Sequence, residues 1–303
     1  MKLISTRPVM RSGIVTIIGR PNVGKSSLLN ALVGQKVSIV SHKPQTTRHR
    51  IQGVLHHDEG QVVFVDTPGL HRLQKKALNR VMNETAAGAM HDVDLMLFVI
   101  EAGRWTDEDE AVLQRLSTFT TPVGLLVNKV DRISDKERLF PELQKLSAKR
   151  DFAFVMPLSV LKGANLKELK QELFSRMKEG DPLYPVDMVV GHDVGFSVSE
   201  IIREKLIRNL HQELPYATTV QVQKHEREDN IDRIEAVIMV ERDSQKAIVI
   251  GEKGNTLKAI GSSARRDIEK LLGRKVFLKL WCSVRENWSD DLGALKRFGY
   301  TSE

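Results

Sequence analysis

A phosphate-binding loop is the first chemical signature in the sequence. Residues 19–26 read GRPNVGKS and fit the pattern G-x-x-x-x-G-K-[ST] without a mismatch. An apolar run before the loop indicates a buried strand, and the residues that follow it to Leu32 indicate a helix. The backbone N–H groups of such a loop surround phosphates, and the helix N-terminus adds partial positive charge. We therefore predict that the chain binds a nucleoside triphosphate, with Lys25 on the β- and γ-phosphates and Ser26 on Mg²⁺.

Two later segments carry residues that could respond to the γ-phosphate. The stretch 41–48 is polar, contains a proline and has no apolar periodicity, which indicates a loop. Within it Thr47 is the first candidate, and Thr46 the second, for a threonine that completes the Mg²⁺ shell and loses that contact on hydrolysis. An apolar strand further on leads into the sequence DTPG, where Asp66 could hold Mg²⁺ through water and the Gly69 N–H could contact the γ-phosphate.

A third segment indicates which base is bound. An apolar strand ends in the sequence NKVD, in which Asn128 and Lys129 would brace the loop and the base. The Asp131 carboxylate can accept two N–H donors from guanine, whereas adenine presents no matching pair. The pattern therefore favours GTP over ATP. A later strand ends at Ser159, where GTPases normally carry Ser-Ala, and Val160 replaces the alanine here.

Strands that alternate with helices predict the fold of this first part. The run 95–100 is apolar throughout, as expected of a central parallel strand, and neither half of the region is rich in hairpins. We predict the α/β class: a phosphate-loop GTPase domain over residues 1–180 with a mostly parallel, doubly wound sheet. Prolines and glycines concentrated over 179–195 indicate a linker, which we place at 181–197.

A second domain with a different composition follows. Its predicted order is helix, strand, strand, helix, G-x-x-G, helix, strand, which is the order of a KH domain of the bacterial type, a smaller α+β fold. The G-x-x-G loop of such a domain lies against single-stranded nucleic acid because glycine permits a close approach. Residues 246–279 hold nine basic and three acidic side chains, which favours a face that binds polyanions. We place this RNA-binding domain at 198–285 and a C-terminal helix or tail at 286–303.

Several side chains near the G-x-x-G loop have predicted roles. Lys253 and Lys258 would neutralise phosphates. Trp281 and Trp288 are expected to serve the fold rather than to stack on bases. Three isoleucines would shape an apolar groove for the bases: Ile248, Ile250 and Ile260.

Composition limits the functional classes. The chain has 303 residues, 41% hydrophobic and 28% charged, a net charge of +7 and a single cysteine, Cys282. These values are typical of a globular protein in a reducing compartment and argue against an internal disulfide framework. No apolar run approaches the ~20 residues of a membrane span, and the N-terminus is too short and polar for a secretory signal, so we expect a bacterial-type cytoplasmic protein. The histidines show no metal-ligand spacing, and four are expected on the surface: His42, His49, His56 and His57.

Taken together, the motifs resemble the Era family of bacterial GTPases. The sequences GRPNVGKS, QTTR, DTPGL, NKVD and VIGEKG fall in that family's order, and the resemblance covers essentially the whole chain. Other GTPases share the first four motifs, but fusion to a KH domain is typical of this family. The resemblance implies binding to the 3′ end of small-subunit (16S) ribosomal RNA, assistance in late maturation of that subunit, and peripheral association with the inner face of the plasma membrane. No lipidation motif supports the membrane association, and a monomer is the default expectation.

One departure bears on the mechanism. Some GTPases carry a glutamine directly after D-x-x-G to orient the attacking water, but Leu70 stands there. We therefore predict slow intrinsic hydrolysis that relies on Lys25, Mg²⁺ and backbone donors. Asn22 resembles the phosphate-loop asparagine of potassium-stimulated GTPases, which makes K⁺ a second candidate cofactor.

The leading hypothesis is a switch in which GTP changes how the KH domain meets RNA. The alternative is an RNA-binding assembly factor in which GTP is mainly structural. A tRNA-modification or cell-division GTPase is a third class, against which the KH pattern argues.

The predicted site residues fall into four groups. The catalytic group is Lys25, Thr47 and Gly69. The nucleotide-binding group is Gly19, Arg20, Pro21, Asn22, Val23, Gly24, Lys25, Ser26, Ser27, Asp66, Thr67, Pro68, Gly69, Leu70, Asn128, Lys129, Val130, Asp131, Ser159 and Val160. The metal ligands are Ser26, Thr47 and Asp66. The RNA-binding group is Ile250, Gly251, Glu252, Lys253, Gly254, Lys258 and Arg265.

Overall fold

The chain forms two compact units. A computed structural model describes the following residues: 10–41, 43, 46–49, 51–66, 76–135, 137, 139–185, 188–189, 193–211 and 213–300. The N-terminal unit comprises 1–38, 50–70 and 85–191, and the C-terminal unit comprises 39–49, 71–84 and 192–303. Two segments from early in the chain therefore belong to the C-terminal unit. We call them the 39–49 segment and the 71–84 segment.

The N-terminal unit alternates strands with helices, as predicted. Its strands are β1 (Arg11–Ile18), β2 (Ile51–His57), β3 (Gly60–Asp66), β4 (Leu95–Glu101), β5 (Val123–Asn128), β6 (Phe154–Pro157) and β7 (Lys178–Glu179). The helices that begin before residue 180 are α1 (Lys25–Val33), α2 (Ala77–Gly88), α3 (Asp107–Leu116), α4 (Leu139–Ser147) and α5 (Leu166–Arg176). Of these, α2 begins in the 71–84 segment and ends in the N-terminal unit.

The sheet of this unit is mostly parallel. Its strand order is β2-β3-β1-β4-β5-β6, and β7 pairs with β1. Pairing is parallel from β3 to β6, whereas β2 and β7 run antiparallel to their neighbours. Strand β4 is buried from Leu95 to Ile100, which fits an apolar central strand. The loops that follow the carboxyl ends of the parallel strands carry the predicted nucleotide-site residues, so the α/β prediction is confirmed.

Three elements of this unit differ from expectation. Strand β2 was not predicted, because Gly53 and two histidines weaken its strand signal at a sheet edge. Helix α2 was also not predicted. The sequence predicts a closing helix from Leu166 to Lys178, but α5 ends at Arg176, and Lys178 instead pairs with β1 in the short strand β7.

The C-terminal unit is a small α+β fold. Its helices are α6 (Val194–Asn209), α7 (Asp243–Ile250), α8 (Asn255–Leu272) and α9 (Leu292–Arg297). Its strands are β8 (Thr219–Arg227), β9 (Ile231–Val240) and β10 (Lys275–Val284), in the sheet order β10-β9-β8 with β9 and β10 parallel. The helices cover an apolar core that includes Ile202, Leu206, Ile238 and Ile268. No helix in the described ranges is long and apolar enough to cross a membrane.

The sequence predicts a helix from Ser199 to Leu214, whereas α6 spans Val194–Asn209. The Asp193 carboxylate accepts a hydrogen bond from the Phe196 N–H at 2.6 Å and caps the helix. The sequence also predicts a strand at Thr218–Gln223 followed by a charged turn at 226–230. Strand β8 instead runs through Arg227, so the turn is confined to residues 228–230.

The 71–84 segment shares a second apolar core with the end of the chain. From α2, this core takes Ala77, Leu78, Val81 and Met82; from the chain end it takes Trp288, Ala294, Leu295 and Tyr300. The backbone joins the packing, because the Leu78 N–H donates to the Ser289 carbonyl at 2.9 Å. Trp288 is fully buried, and its indole N–H donates to the Ala217 carbonyl at 3.2 Å. Trp288 therefore serves the fold, as predicted.

Candidate nucleotide site and nucleic-acid groove

The phosphate loop follows β1, and two of its positions leave no room for a side chain. A Cβ on Gly19 would lie 2.3 Å from the Val99 carbonyl oxygen, and one on Gly24 would lie 2.4 Å from the Asn128 side-chain nitrogen. Both glycines and Asn22 have positive φ, which turns the backbone into a concave loop. The loop ends directly at α1, whose first residue is Lys25. Its remaining predicted members are partly or fully buried: Pro21, Val23, Ser26 and Ser27.

The ammonium group of Lys25 lies inside this loop. Its Nζ donates to the carbonyl oxygens of Gly19 and Arg20, both at 2.9 Å. Burial lowers the pKa of Lys25 to about 8, and the negative charge of Asp66 partly opposes that shift. A phosphate in the loop would supply the anionic partner that two neutral carbonyls do not, so the position fits the predicted role.

Oxygen donors converge beside the loop, at the end of β3. The Asp66 carboxylate oxygen Oδ2 accepts hydrogen bonds from Ser26 Oγ at 2.8 Å and from Ser38 Oγ at 3.0 Å. Hydroxyl and carboxylate oxygens are the hard ligands that Mg²⁺ prefers. In the described part of the chain, no group of three His, Cys, Asp or Glu side chains could hold a metal by itself. The donor set therefore fits an ion whose remaining ligands are nucleotide phosphates and water.

Ser38 was missed by the sequence analysis, although it is fully buried in this cluster. It is fixed by Asn30 of α1, whose Oδ1 accepts the N–H groups of Val37 and Ser38 at 2.8 Å each and whose Nδ2 donates to the Ser38 carbonyl at 2.7 Å. Ser38 thus orients the Asp66 carboxylate together with Ser26, which donates to the same oxygen. A serine ahead of a loop belongs to no distinctive sequence pattern, so nothing in the sequence singles out Ser38.

Ser38→Ala is expected to weaken Mg²⁺ binding about tenfold, in the range typical for residues that orient metal ligands. The physical reason is that Asp66 loses one of the donors that fix its rotamer. Dissociation of a fluorescent guanine nucleotide, titrated with buffered Mg²⁺, measures the effect. Ser147→Ala is the matched control, because that hydroxyl bonds only its own helix backbone at Gln144. Equal Mg²⁺ dependence in both variants would contradict the assignment.

The predicted base-recognition residues meet at the ends of β5 and β6. Asn128 donates from Nδ2 to the Val23 carbonyl at 2.8 Å, and its Oδ1 accepts the N–H groups of Lys129 at 2.8 Å and Val160 at 3.2 Å. Lys129 Nζ donates to the Asn22 carbonyl at 2.8 Å. Asn128 and Lys129 therefore tie the NKVD loop to the phosphate loop, as predicted for bracing residues.

Asp131 lies in the same constellation. Ser159 Oγ donates to its Oδ1, and the N–H of Val130 donates to the Leu158 carbonyl at 3.3 Å. The Lys162 N–H donates in turn to Ser159 Oγ at 3.1 Å, which fixes the serine. Ser159 thus fixes the orientation of the Asp131 carboxylate. A carboxylate held in this way can accept paired donors from a base.

A network of ion pairs fixes Arg20 of the phosphate loop. Arg20 donates from Nε to Asp109 at 3.0 Å and from Nη2 to Glu101 at 3.4 Å, and Glu101 also contacts Lys129 at 3.0 Å. Burial alone would raise the pKa of Glu101, but the bonds from Lys129 and Arg20 outweigh it, so the pKa lies below its usual value. Asp109 also closes a capping box with Thr106 at the start of α3. The sequence analysis identified neither this cap nor the bond from Arg20 to Asp109.

Some predicted residues lie elsewhere. Thr67, Pro68, Gly69 and Leu70 fall outside the described residues. Thr47 is buried and belongs to the C-terminal unit together with the rest of the 39–49 segment. Two histidines expected on the surface are engaged: His49 packs between the rings of Phe196 and Tyr300, and His56 Nε2 lies 2.7 Å from the Met188 carbonyl oxygen. His57 is exposed, and His42 lies outside the described residues.

The G-x-x-G loop joins α7 to α8 in a conformation that requires glycine. Gly251, Lys253 and Gly254 all have positive φ, at 73°, 49° and 80°. A Cβ on Gly251 would lie 2.1 Å from the Thr256 hydroxyl oxygen, whereas one on Gly254 would meet open space. Glu252 and Lys253 are exposed at the tip. The first glycine is thus required by the turn, and the second leaves room for an approaching chain.

A groove of about 340 Å³ runs from this loop between α8 and β10. Its lining combines small, basic and apolar side chains: Gly254, Leu257, Lys258, Gly261, Ser262, Arg265, Leu278 and Leu280. Lys258 and Arg265 were predicted, whereas the apolar floor of Leu257, Leu278 and Leu280 was not. Ile260 is fully buried in the core, so the prediction that it shapes the groove surface was wrong. Ile248 is 57% exposed on α7, and Ile250 packs against the core.

These two sites define a phosphate-loop GTPase joined to a KH domain. The family model described as "50S ribosome-binding GTPase" matches residues 14–129, and the model described as "KH domain" matches residues 213–289. GTPase Era of Xanthomonas campestris pv. campestris (strain B100) is 53% identical over 290 residues, covering 96% of this chain and 97% of the relative. GTPase Era of Stenotrophomonas maltophilia (strain R551-3) is 52% identical over 288 residues, covering 95% of this chain and 97% of the relative.

Solved structures agree over the same length. A variant of Aquifex aeolicus Era bound to GDP and AlF4⁻ superposes with a TM-score of 0.93 at 38% identity, covering 97% of this chain and all of that one. Era in complex with MgGDPNP and nucleotides 1506–1542 of 16S ribosomal RNA gives the same TM-score, identity and coverage. The chain therefore belongs to the Era family of GTPases.

Proposed function

We propose that this GTPase is a nucleotide-controlled RNA-binding protein that attaches to the 3′ end of small-subunit ribosomal RNA and assists late maturation of that subunit. GTP and Mg²⁺ would occupy the phosphate loop, with Lys25 on the phosphates, Ser26, Thr47 and Asp66 around the ion, and Asp131 on guanine. The G-x-x-G groove would take single-stranded RNA. The family membership and the complex of a related Era with a 16S ribosomal RNA segment support this assignment.

One observation carries the nucleotide control. The 39–49 and 71–84 segments belong to the same compact unit as the G-x-x-G groove. The first contains Thr47, and the second begins two residues after Gly69, so both predicted sensors of the γ-phosphate are covalently continuous with the RNA-binding unit. A change at either sensor on hydrolysis can therefore reach that unit through packed residues.

Co-sedimentation with purified ribosomal subunits tests the proposal. The full-length chain, loaded with GDP or with GDPNP, is mixed separately with small and large subunits. The large subunit is an informative comparison, because the matching family model is described as 50S ribosome-binding whereas the related complex contains 16S RNA. We expect the chain to sediment with small subunits when loaded with GDPNP and much less when loaded with GDP.

The other outcomes distinguish the alternatives. Equal binding to small subunits in both nucleotide states would favour an assembly factor in which GTP is mainly structural. Binding to large subunits only would overturn the proposed RNA partner while the GTPase assignment stands.

Hydrolysis is expected to be about tenfold faster in KCl than in NaCl, equivalent to about 1.4 kcal/mol of barrier. The prediction rests on Asn22, whose side chain is exposed at the phosphate loop in a left-handed backbone conformation. A cation at this position would supply the positive charge that an arginine provides in other GTPases. Phosphate release measured in each salt is the test, with Asn22→Ala as the variant that should lose the difference. Equal rates for the wild type in both salts would remove K⁺ from the mechanism.

The family resemblance also supports residence in the cytoplasm with peripheral contact at the inner face of the plasma membrane. Flotation with phospholipid vesicles tests the membrane contact, which we propose on the resemblance alone. A monomer is the default expectation, and sedimentation equilibrium tests it.

A further inference from the structure

The 39–49 segment is attached to the C-terminal unit along most of its described length. Hydrogen bonds join it to helix α6 or to later residues at five positions: Val40, Lys43, Thr46, Arg48 and His49. Lys43 Nζ, for example, donates to the Ile207 carbonyl at 2.6 Å near the end of α6. The number of these hydrogen bonds shows that the segment is bonded into its unit rather than lying loosely on the surface.

Arg48 makes the most extensive of these contacts. Its side chain is among the largest fully buried side chains, at 1% exposure. Nη1 donates to the Thr218 carbonyl at 2.8 Å, and Nη2 donates to the carbonyls of Pro215 at 2.9 Å and Tyr216 at 3.1 Å. The Tyr300 hydroxyl lies 3.4 Å from Nη1. The guanidinium thus binds the backbone that leads into β8 and reaches the end of the described chain.

Other charged and aromatic groups surround this arginine. Arg203 of α6 donates from Nε to Glu200 Oε1 at 2.6 Å and from Nη2 to the Thr46 carbonyl. The His49 ring stacks on Tyr300 with 4.4 Å between centroids. We call Arg48, His49, Glu200, Arg203 and Tyr300 the anchor cluster.

The hydrogen bonding of the anchor cluster is incomplete. Burial lowers the pKa of His49 to about 4, so that ring is neutral at physiological pH. The two guanidinium groups then face the Glu200 carboxylate, and the buried Glu204 carboxylate also acts on Arg203. Among the described residues, Arg48 Nε and Arg203 Nη1 are buried without a hydrogen-bond partner. A buried donor without a bond costs free energy, and such groups are few in native structures.

A pocket that opens to solvent adjoins the cluster. It has a volume of about 270 Å³ and is bordered by His49, Glu200, Arg203 and Tyr300, among others. The 39–49 segment is thus joined to the rest of its unit by many hydrogen bonds centred on a buried arginine, and two donors of the cluster are left without a bond in the part of the chain that the structure describes.

We propose that Arg48 couples the nucleotide state of the GTPase to the RNA affinity of the C-terminal unit. Arg48 follows Thr47 directly, so a change of backbone conformation at Thr47 would alter the position from which the Arg48 side chain reaches its carbonyl partners. Arg48 is thus a positioning residue, because its buried side chain binds the backbone carbonyls between α6 and β8. The inference rests on the proposed function, because it specifies how that nucleotide control is exerted. Linkage then requires that RNA change the relative affinities for GDPNP and GDP by the same factor.

The test measures this coupling in both directions. The affinity of the full-length chain for a labelled RNA of nucleotides 1506–1542 is measured with GDPNP and with GDP; the GDPNP and GDP affinities are then measured with and without that RNA. The variants are Arg48→Ala and Arg48→Lys, the latter keeping the charge but not the forked geometry. Arg297→Ala is the matched control, because it removes an arginine of the same unit that is 61% exposed.

For the wild type and Arg297→Ala we expect RNA affinities that differ about tenfold between GDPNP and GDP, within the usual range for coupled sites. For both Arg48 variants we expect a ratio near one, with nucleotide affinities in the absence of RNA unchanged. Wild-type coupling retained in both Arg48 variants would overturn this inference and leave the proposed function standing. A ratio near one already in the wild type would instead overturn the nucleotide control itself.

A milder variant decides the matter if the Arg48 variants do not fold. Tyr300→Phe deletes only the hydroxyl that contacts Arg48 and Thr219, and the ring can still stack on His49. We expect its coupling ratio to fall below that of the wild type while the chain remains folded at the temperature of the assay. An unchanged ratio in Tyr300→Phe would then count against the inference.

Discussion

Gly254→Asp is expected to weaken RNA binding at least about hundredfold without changing GTP hydrolysis. The new side chain would stand in open space at the mouth of the groove, where Lys258 and Arg265 line the wall. A carboxylate about 4 Å from an RNA phosphate is repelled by about 4 kcal/mol at the effective dielectric of a protein surface. Fluorescence anisotropy with a labelled single-stranded RNA measures the affinity, and phosphate release measures hydrolysis.

Gly273→Asp is the matched control for this variant. Gly273 ends the same helix α8, also has positive φ, at 65°, and also faces open space. Both variants therefore carry the same charge and a similar backbone strain, but only residue 254 lies in the groove. RNA affinity that falls equally in both would show that strain in α8, rather than the groove, is responsible.

Asp131→Asn is expected to lower the affinity for GDP and GTP by about 10²–10⁴-fold and to raise the affinity for xanthine nucleotides. Two charge-assisted hydrogen bonds to the base, each contributing about 1.5–3 kcal/mol, account for the loss. Xanthine presents an acceptor where guanine presents its amino group, and the asparagine amide can donate to it. Ser159 can still donate to the side-chain oxygen at position 131, so the loop should keep its shape. Competition between fluorescent GDP and unlabelled XDP measures both changes.

Asp151→Asn serves as the control, since this exposed carboxylate lies in the same unit ahead of β6. It should bind guanine nucleotides like the wild type. If Asp131→Asn also kept its GDP affinity, the assignment of the NKVD loop to base recognition would be wrong.

Residues that act within one local element were predictable from the sequence. The phosphate loop is specified by a strand, a glycine-bearing turn and a helix that are contiguous in the chain, so the pattern implies the geometry. The same holds for the G-x-x-G loop and for the alternation of strands and helices in the N-terminal unit. Strand β2 escaped prediction because an edge strand needs little apolar periodicity, and its antiparallel pairing with β3 supplies the missing stability.

Residues that act across the chain were not predictable. Arg48 is a charged residue in a polar loop, and its bonds reach residues 167 to 252 positions away. Its burial depends on carbonyl groups and on Tyr300, which no local pattern identifies. Ser38 and Asp109 were missed for a similar reason, since each meets its partner, Asp66 or Arg20, only when separate strands and helices assemble. Local propensity fixes elements, whereas burial of charge is decided by tertiary structure.

The contact between Arg48 and Tyr300 also has a consequence for synthesis on the ribosome. Their separation of 252 residues takes roughly 13–50 s to translate at about 5–20 residues per second. During that interval the nascent chain already contains its whole phosphate loop, but Arg48 and the apolar residues of α2 lack their final neighbours. Those groups remain exposed to chaperones and to aggregation until the last residues of the C-terminal unit emerge. The phosphate-binding residues are therefore synthesised early, whereas Arg48 can make its contact with Tyr300 only after residue 300 has been translated.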